Sequence, residues 1–260
     1  MEGSMIQSLT EFERHTLPLT KLTVCTVREA GNGVGYGVHQ DDATAHAKAL
    51  CELHERRFAR SRPQVHSLNG SERLIDAKLV RYIGPTRPAR ALQGYRFRSL
   101  SDASCWFLSK DLLVSAELEP RPGQFPLSTA GFAAHPDRTL AVINAVKELV
   151  ERHVFFCYWY GDVGAAVTKS PLADFTLFEL PNLSPFFVVV AIKRSDKLPG
   201  VFVGVGAEFS LEGAVQKAIG EAEFFEWWFE RMPPVEGSLS SFAGILHMHA
   251  RSNRGVAARL

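Results

Sequence analysis

Apolar and polar positions alternate among β-branched residues from Leu22 to Val27, which predicts a strand. Gly31-Asn-Gly-Val-Gly-Tyr-Gly37 follows as a predicted glycine turn, then a helix over about 43–60 with Asp42 as its N-cap. Between Ser61 and Gly94 the pattern breaks: Pro63, Gly84, Pro85 and Pro88 leave one strand candidate, Leu74 to Tyr82. Strands are predicted again at Tyr95–Phe97, Cys105–Leu108 and Leu112–Leu118, closed by the turn cluster Pro120-Arg-Pro-Gly-Gln. A second helix is predicted over 138–158, with Pro136 near its start. Phe175–Leu180, Phe186–Ile192 and Val201–Val205 read as strands, the last two joined by a hairpin-like connection from Lys193 to Gly200. Ser210 caps a third helix over 211–229, Pro233-Pro234 stops it, and Phe242–His249 adds a final strand candidate. Antiparallel strands separated by three long helices predict an α+β fold, read as one domain over residues 1–260.

The three helices share a layout. Gly35, Ala45, Ala49 and Glu52 recur as Gly131, Ala141, Ala145 and Glu148, and again as Gly204, Ala214, Ala218 and Glu221. In each copy the glycine stands seventeen residues before the glutamate and the alanines seven and three before it. Such self-similarity marks related supersecondary units, here three strand–glycine turn–helix units packed on antiparallel sheet. The alanines, four apart on one helical face, permit close packing, and the glutamate continues that face. Copies one and two extend it, as Glu52-x-x-Glu55-Arg56 and Glu148-x-x-Glu151-Arg152.

Composition adds little to this picture: 46% hydrophobic, 22% charged, formal net charge +1. No apolar run reaches the length of about eighteen residues that suggests a membrane span. Met1 to Glu13 lacks the features of a secretory signal, so the expected setting is the cytoplasm, with neither membrane nor nucleic acid as partner. Cys25, Cys51, Cys105 and Cys157 form no Cys-x-x-Cys pair and are expected to be buried thiols. The charge is uneven, however. Arg56 to Arg98 holds ten arginines and one lysine against Glu72 and Asp76, a block suited to phosphates or an acidic peptide or protein, or else a solvated connector.

One Glu-x-x-Glu-Arg would be an ordinary solvated helix surface; three in-register copies point elsewhere. If the helices pack side by side, Glu52, Glu55, Glu148, Glu151 and Glu221 converge on one cavity, where five carboxylates cannot all stay ionised without cations. Oxygen-rich sites of this kind suit Mg²⁺, which shares its ligands with substrate phosphates. Arg56 and Arg152 at the rim suit phosphate oxygens. The residues alone thus predict a Mg²⁺–nucleotide site, although no Gly-x-x-x-x-Gly-Lys-Ser/Thr or Gly-x-Gly-x-x-Gly spacing occurs. His247-Met-His249 offers two ligands with no partners and is read as surface.

These motifs resemble those of the YcaO superfamily. Ala-Leu-Cys-Glu52-Leu-His-Glu55-Arg56 is similar to its first ATP-site motif. Ser128-Thr-Ala-Gly-Phe-Ala-Ala-His135 with Asn144-x-x-x-Glu148-x-x-Glu151-Arg152 is similar to the second, and Lys217-x-x-x-Glu221 to the third. The resemblance covers about residues 22–229. It implies a YcaO-like fold, ATP and Mg²⁺ as cofactors, metal binding by the five glutamates, and nucleotide contacts from Arg56, Asn144, Arg152 and Lys217. The implied activity is ATP-dependent activation of a peptide-backbone amide, as in azoline-forming cyclodehydration, thioamide or amidine formation. It would serve maturation of a ribosomally made precursor peptide, with a partner subunit or as a homo-oligomer. Departures are Lys48 where the family has serine, Lys217 where it has arginine, and no acidic residue near Leu140. A family N-terminal segment and the Pro-rich tail of many azoline-forming members are expected to have no counterpart. Lys48 and Lys217 each stand four before a site glutamate, where intrahelical ion pairs would suit the rival reading: a non-catalytic YcaO-like subunit that binds the precursor or supports an active partner.

Overall fold

The computed structural model describes residues 10–30, 33–60, 66–67, 73–74, 93–99, 101–109, 131–160, 164–182, 184–195 and 201–231. In chain order the elements are β1 (Thr10–Thr16), β2 (Thr23–Glu29), β3 (Gly33–His39) and α1 (Asp42–Arg60). Next come β4 (His66–Ser67), β5 (Arg73–Leu74), β6 (Gln93–Arg98) and β7 (Cys105–Ser109). They are followed by α2 (Arg138–Tyr160), β8 (Ala166–Thr168), β9 (Phe175–Leu180), β10 (Phe187–Arg194), β11 (Val201–Glu208) and α3 (Leu211–Arg231). The fold is α+β, as expected. Two compact units result: Met1–Leu53 with Ala133–Leu260, and His54–Phe132.

The first unit stacks helices and sheets alternately. Its smaller sheet runs β1-β2-β3, antiparallel throughout, and its larger runs β11-β10-β9-β8. Strand β2 is buried from Thr23 to Val27, so both of its faces are covered. Cys25 and Val27 pack with Ala45, Ala49 and Leu53 of α1, while Val24 on the opposite face packs with Leu17 and Trp227 of α3. Helix α3 is in turn shared. Ala214, Ala218, Ile219 and Ala222 pack on Phe175, Leu177, Val189 and Ala191 of the larger sheet. The alternate residues Phe178, Leu180, Val188 and Val190 face Val154 of α2. The period-two alternation of each strand thus feeds two different cores.

Glycine sets the closest contacts. A Cβ on Gly35 would lie 2.0 Å from the Ala49 carbonyl oxygen, and one on Gly204 would lie 2.1 Å from that of Ala218; Gly37 and Gly206 meet Ala45 and Ala214 in the same way. Backbone therefore rests on backbone along both seams. This revises the expected glycine turn: in copies one and three the glycines lie inside strands β3 and β11. Copy two differs. Gly131 has a positive φ of 87°, and residues 132–137 contain no strand before α2.

The second unit holds a sheet ordered β4-β6-β7-β5, with β5 parallel to β7. The predicted strands at Tyr95–Phe97 and Cys105–Leu108 are its β6–β7 hairpin. Of the predicted strand from Leu74 to Tyr82, only Leu74 falls in a described strand, and Leu112–Leu118, Phe242–His249 and His247-Met-His249 lie outside the described residues. So does most of the basic block from Arg56 to Arg98.

Helix α1 is capped by Asp41, not by the expected Asp42. Asp41 Oδ2 accepts from the Thr44 N–H at 2.8 Å, and its carbonyl accepts from the Ala45 N–H. Asp42 instead accepts from the Thr23 hydroxyl at 2.6 Å and pairs with Arg14. Asp137 caps α2 and Ser210 caps α3 in the same manner. The cysteines are thiols, but only Cys25 of the four is fully buried and Cys105 is exposed, because it lies on a short hairpin with little to cover it. Among the described residues no helix is long and apolar enough to cross a membrane.

Candidate functional site

The seams fix where the repeat's glutamates reach. Among the described residues, strands β3 and β11 are the edges of their sheets, and no described strand pairs with their outward N–H groups. Glu52 Oε2 accepts from the Tyr36 N–H at 2.6 Å, and Glu221 Oε2 accepts from the Val205 N–H at 2.7 Å. Each donor follows its copy's glycine by one residue. Copies one and three therefore make the same contact: a helix pressed against its strand caps that strand's edge with the carboxylate that ends the alanine face. Copy two contributes across to copy three. Glu151 Oε2 accepts from the Ala207 N–H at 3.2 Å and from Lys217 Nζ at 2.7 Å.

Within the first unit a cavity of about 920 Å³ opens beside these contacts. Of the sequence-predicted residues, Asn144, Lys217 and Glu221 line it, as does Lys48. Lys147 and Glu208 join them, paired across α2 and β11 through both carboxylate oxygens at 2.8 and 2.9 Å. The first turn of α3, at Ser210 and Gly213, opens into the same space, and Leu22, Ile219 and Phe224 form an apolar flank.

The carboxylates here are under strain from one another. Burial, and then the charge of Glu151, push Glu221 up to about 7, against the opposing pull of Arg152, the Val205 N–H and Lys217. For Lys217 burial works against the charge, but Glu151, with Glu221 and Glu208 beyond it, holds the ammonium above its ordinary range. Lys48 is drawn below its ordinary range by burial and by the charges of Lys217 and Lys147, with Glu208 offsetting part of this. Glu151, Arg152, Lys217 and Glu221 thus form one electrostatic group.

Glu52 is anchored on β3, Glu148 is half-buried on α2, and Glu55 and Arg56, also half-buried, belong to the second unit. Among the described residues no three His, Cys, Asp or Glu side chains gather to hold a metal ion by themselves. The intrahelical ion pairs expected of Lys48 and Lys217 do not form as drawn. Lys48 Nζ donates to the Val38 carbonyl at 3.2 Å, and Lys217 pairs across to Glu151. Sequence reading missed Lys147 and Glu208. Their position beside the motif, one residue before Glu148 and two before the Ser210 cap, was the available signal.

The family model described as YcaO cyclodehydratase, ATP- and Mg²⁺-binding, matches residues 34–225, spanning both seams and every residue of the electrostatic group. The chain belongs to the YcaO family. No curated protein matches it. Among solved structures it is similar to YcaO from Methanopyrus kandleri bound with AMPPCP and Mg²⁺, at 19% identity and a TM-score of 0.68, over 94% of this chain and 68% of that one. It is also similar to the E. coli microcin synthetase McbBCD complex with pro-MccB17 bound (11% identity, TM-score 0.66, 88% of this chain and 67% of that one). A heterocyclase in complex with substrate and cofactor matches at 16% identity and a TM-score of 0.62, over 87% of this chain and 39% of that one. At these identities the structural likeness establishes the YcaO fold. The family's description carries ATP and Mg²⁺ as its cofactors.

Proposed function

We propose that this chain is a YcaO-type enzyme that binds Mg-ATP in the 920 Å³ cavity and activates a peptide-backbone amide. Azoline-type cyclodehydration, or a related backbone modification, of a ribosomally made precursor would follow, with a partner subunit completing the machinery. The observation that carries the reading is the pairing of a lysine-lined cavity with the crowded carboxylates Glu151 and Glu221. The two parts suit the two halves of the ligand. Lys48, Lys147 and Lys217, with the first turn of α3, suit phosphate oxygens. Glu221, raised to about 7 beside Glu151, is relieved by a cation, and Mg²⁺ commonly takes one or two carboxylates and completes its shell with phosphate and water. The apolar flank at Leu22, Ile219 and Phe224 offers a surface for a purine. Mg-ATP would supply the phosphoryl group that converts an amide oxygen into a leaving group. The protein's own part is positioning: the glycine seams and the edge-strand hydrogen bonds hold Glu52 and Glu221 in place before any ligand arrives.

The non-catalytic reading draws on one observation, the Lys217–Glu151 ion pair, which already neutralises a carboxylate without metal. Calorimetric titration of the purified chain with Mg-ATP, alone and with a candidate partner, separates the two. Measurable binding that weakens on Glu221→Gln supports the enzyme. No binding under either condition, by a folded chain, leaves the supporting subunit.

A further inference from the structure

The Lys217–Glu151 pair joins unequal partners. The Glu151 side chain is 4% exposed and is tied to β11 through the Ala207 N–H, whereas the Lys217 side chain is 40% exposed on a flexible stem. Glu221 is tied to the same strand two residues earlier, through the Val205 N–H. Both carboxylates therefore keep a backbone anchor when the ammonium leaves, and Lys217 is the part that moves.

Its departure needs a replacement and a destination. A buried carboxylate stripped of its counter-charge is strongly disfavoured, so Lys217 leaves Glu151 only when another cation arrives. A cation approaching Glu151 must in turn displace the ammonium, which sits 2.7 Å from Oε2. Of the other carboxylates near Lys217, Glu208 is held through both oxygens by Lys147, and Glu221 would stand beside the same incoming cation. The displaced ammonium is best served by an acceptor that enters with the cation. Phosphate oxygens fit, because Lys217 lines the cavity together with Lys48, Lys147 and the first turn of α3, and its three donors can each meet one.

Resting on the Mg-ATP reading above, we infer that Lys217 couples the two halves of the ligand. It holds Glu151 in the free protein and passes to the phosphates when Mg²⁺ and nucleotide enter together, so that a divalent cation alone does not fill the site. Such coupling is reciprocal: the factor by which nucleotide raises the affinity for metal is the factor by which metal raises the affinity for nucleotide. Lys217 is thus a positioning residue, and its ion pair with Glu151 is a working part of the enzyme.

The test compares the full chain with Lys217→Gln, which keeps a hydrogen-bond donor for Glu151 but no charge, and with Lys217→Arg. Each is titrated with Mn²⁺ alone, followed by the paramagnetic resonance of the free ion, and by calorimetry with a non-hydrolysable ATP analogue in excess Mg²⁺. Lys217→Gln should bind Mn²⁺ alone about tenfold or more tightly than the parent, and the Mg²⁺–analogue complex about tenfold more weakly, the scale of one charge-assisted contact. Lys217→Arg should follow the parent in both. Opposite shifts for the two ligands separate coupling from a merely structural role, which would weaken both. Independently of any variant, Mn²⁺ alone should leave the parent's melting curve unmoved, because a ligand that does not bind the folded state does not stabilise it. A parent melting curve that Mn²⁺ alone raises, equal Mn²⁺ affinities in parent and Lys217→Gln, or loss of both ligands together overturns this inference and leaves the nucleotide reading standing. Failure of the folded parent to bind the Mg²⁺–analogue complex overturns both.

Discussion

Copies one and three of the repeat build the same object, and copy two does not. In β3–α1 and β11–α3 a strand of alternating glycines lies against an alanine face, and the terminal glutamate caps the strand's edge. Copy two keeps the spacing of Gly131, Ala141, Ala145 and Glu148, yet Ala141 and Ala145 are only half-buried. The difference is one residue. Gly35 and Gly204 are followed two places later by Gly37 and Gly206, whereas Gly131 is followed by Ala133. A single glycine makes a turn; two at strand spacing make a seam. Freed from a seam of its own, α2 reaches across and sets Glu151 against Lys217 and the edge of β11.

The largest effects should come from breaking a seam. Gly35→Ala and Gly204→Ala each place a methyl group against a carbonyl oxygen, and each should cost about 3 kcal/mol or more in urea denaturation. On the helix side, Ala218→Val should cost about 1–3 kcal/mol, and its copy-two counterpart Ala145→Val less than about 1 kcal/mol. Equal costs at Ala218 and Ala145 would erase the distinction between the copies.

Next is the contact from copy two to copy three. Glu151→Gln weakens the partner of Lys217 and should cost about 1–3 kcal/mol. It should also lower the titration midpoint of Glu221, which carbon-detected NMR can follow. A midpoint that stays at about 7 would mean that burial alone sets it. The sign of the pH dependence follows. Glu221's raised folded-state pKa means that the folded state holds a proton the unfolded state has lost between about 4.5 and 7. Its contribution is therefore present in full below that window and is lost as pH rises through it, with a slope of at most about 1.4 kcal/mol per pH unit. Glu221→Gln should remove this part of the slope in urea titrations run across the window.

The smallest effects should fall where the three copies agree. Asp41→Ala, Asp137→Ala and Ser210→Ala remove equivalent helix caps, and each should cost about 1 kcal/mol by thermal melting. Markedly unequal costs would show that the shared spacing at the helix starts has no common energetic content.

Much of the fold was legible because its signals were local. All three helices and strands β9 to β11 follow from apolar period and turn residues, and the family motifs fall on the helices that they predicted. The errors have physical causes. The run Gly33–Gly37 reads as a turn because glycine is a poor strand former in isolation; its strand exists because only glycine fits under α1, a tertiary fact. Strand β1, rich in charge, was missed because its side chains are largely exposed. Asp41 and Asp42 are equally good caps by type, but comparing copies decides between them: Asp41, Asp137 and Ser210 each precede the first alanine by four. At the site, Asn144, Lys217 and Glu221 were visible as motif residues. The Lys147–Glu208 pair was not read: each partner stands beside a motif or cap residue, but nothing in that position links two residues 61 apart.

The carboxylates that cap β3 and β11 also decide what these sheets can do with other chains. An edge strand with open N–H groups invites another strand, whether from a peptide, from a second copy or from a growing aggregate. Here the outward amides of Tyr36, Val205 and Ala207 are already taken by glutamates held on packed helices. Neither edge can be extended at those points without first pulling a carboxylate away. A protein whose proposed substrate is itself an extended polypeptide thereby keeps that chain from zipping onto its sheets.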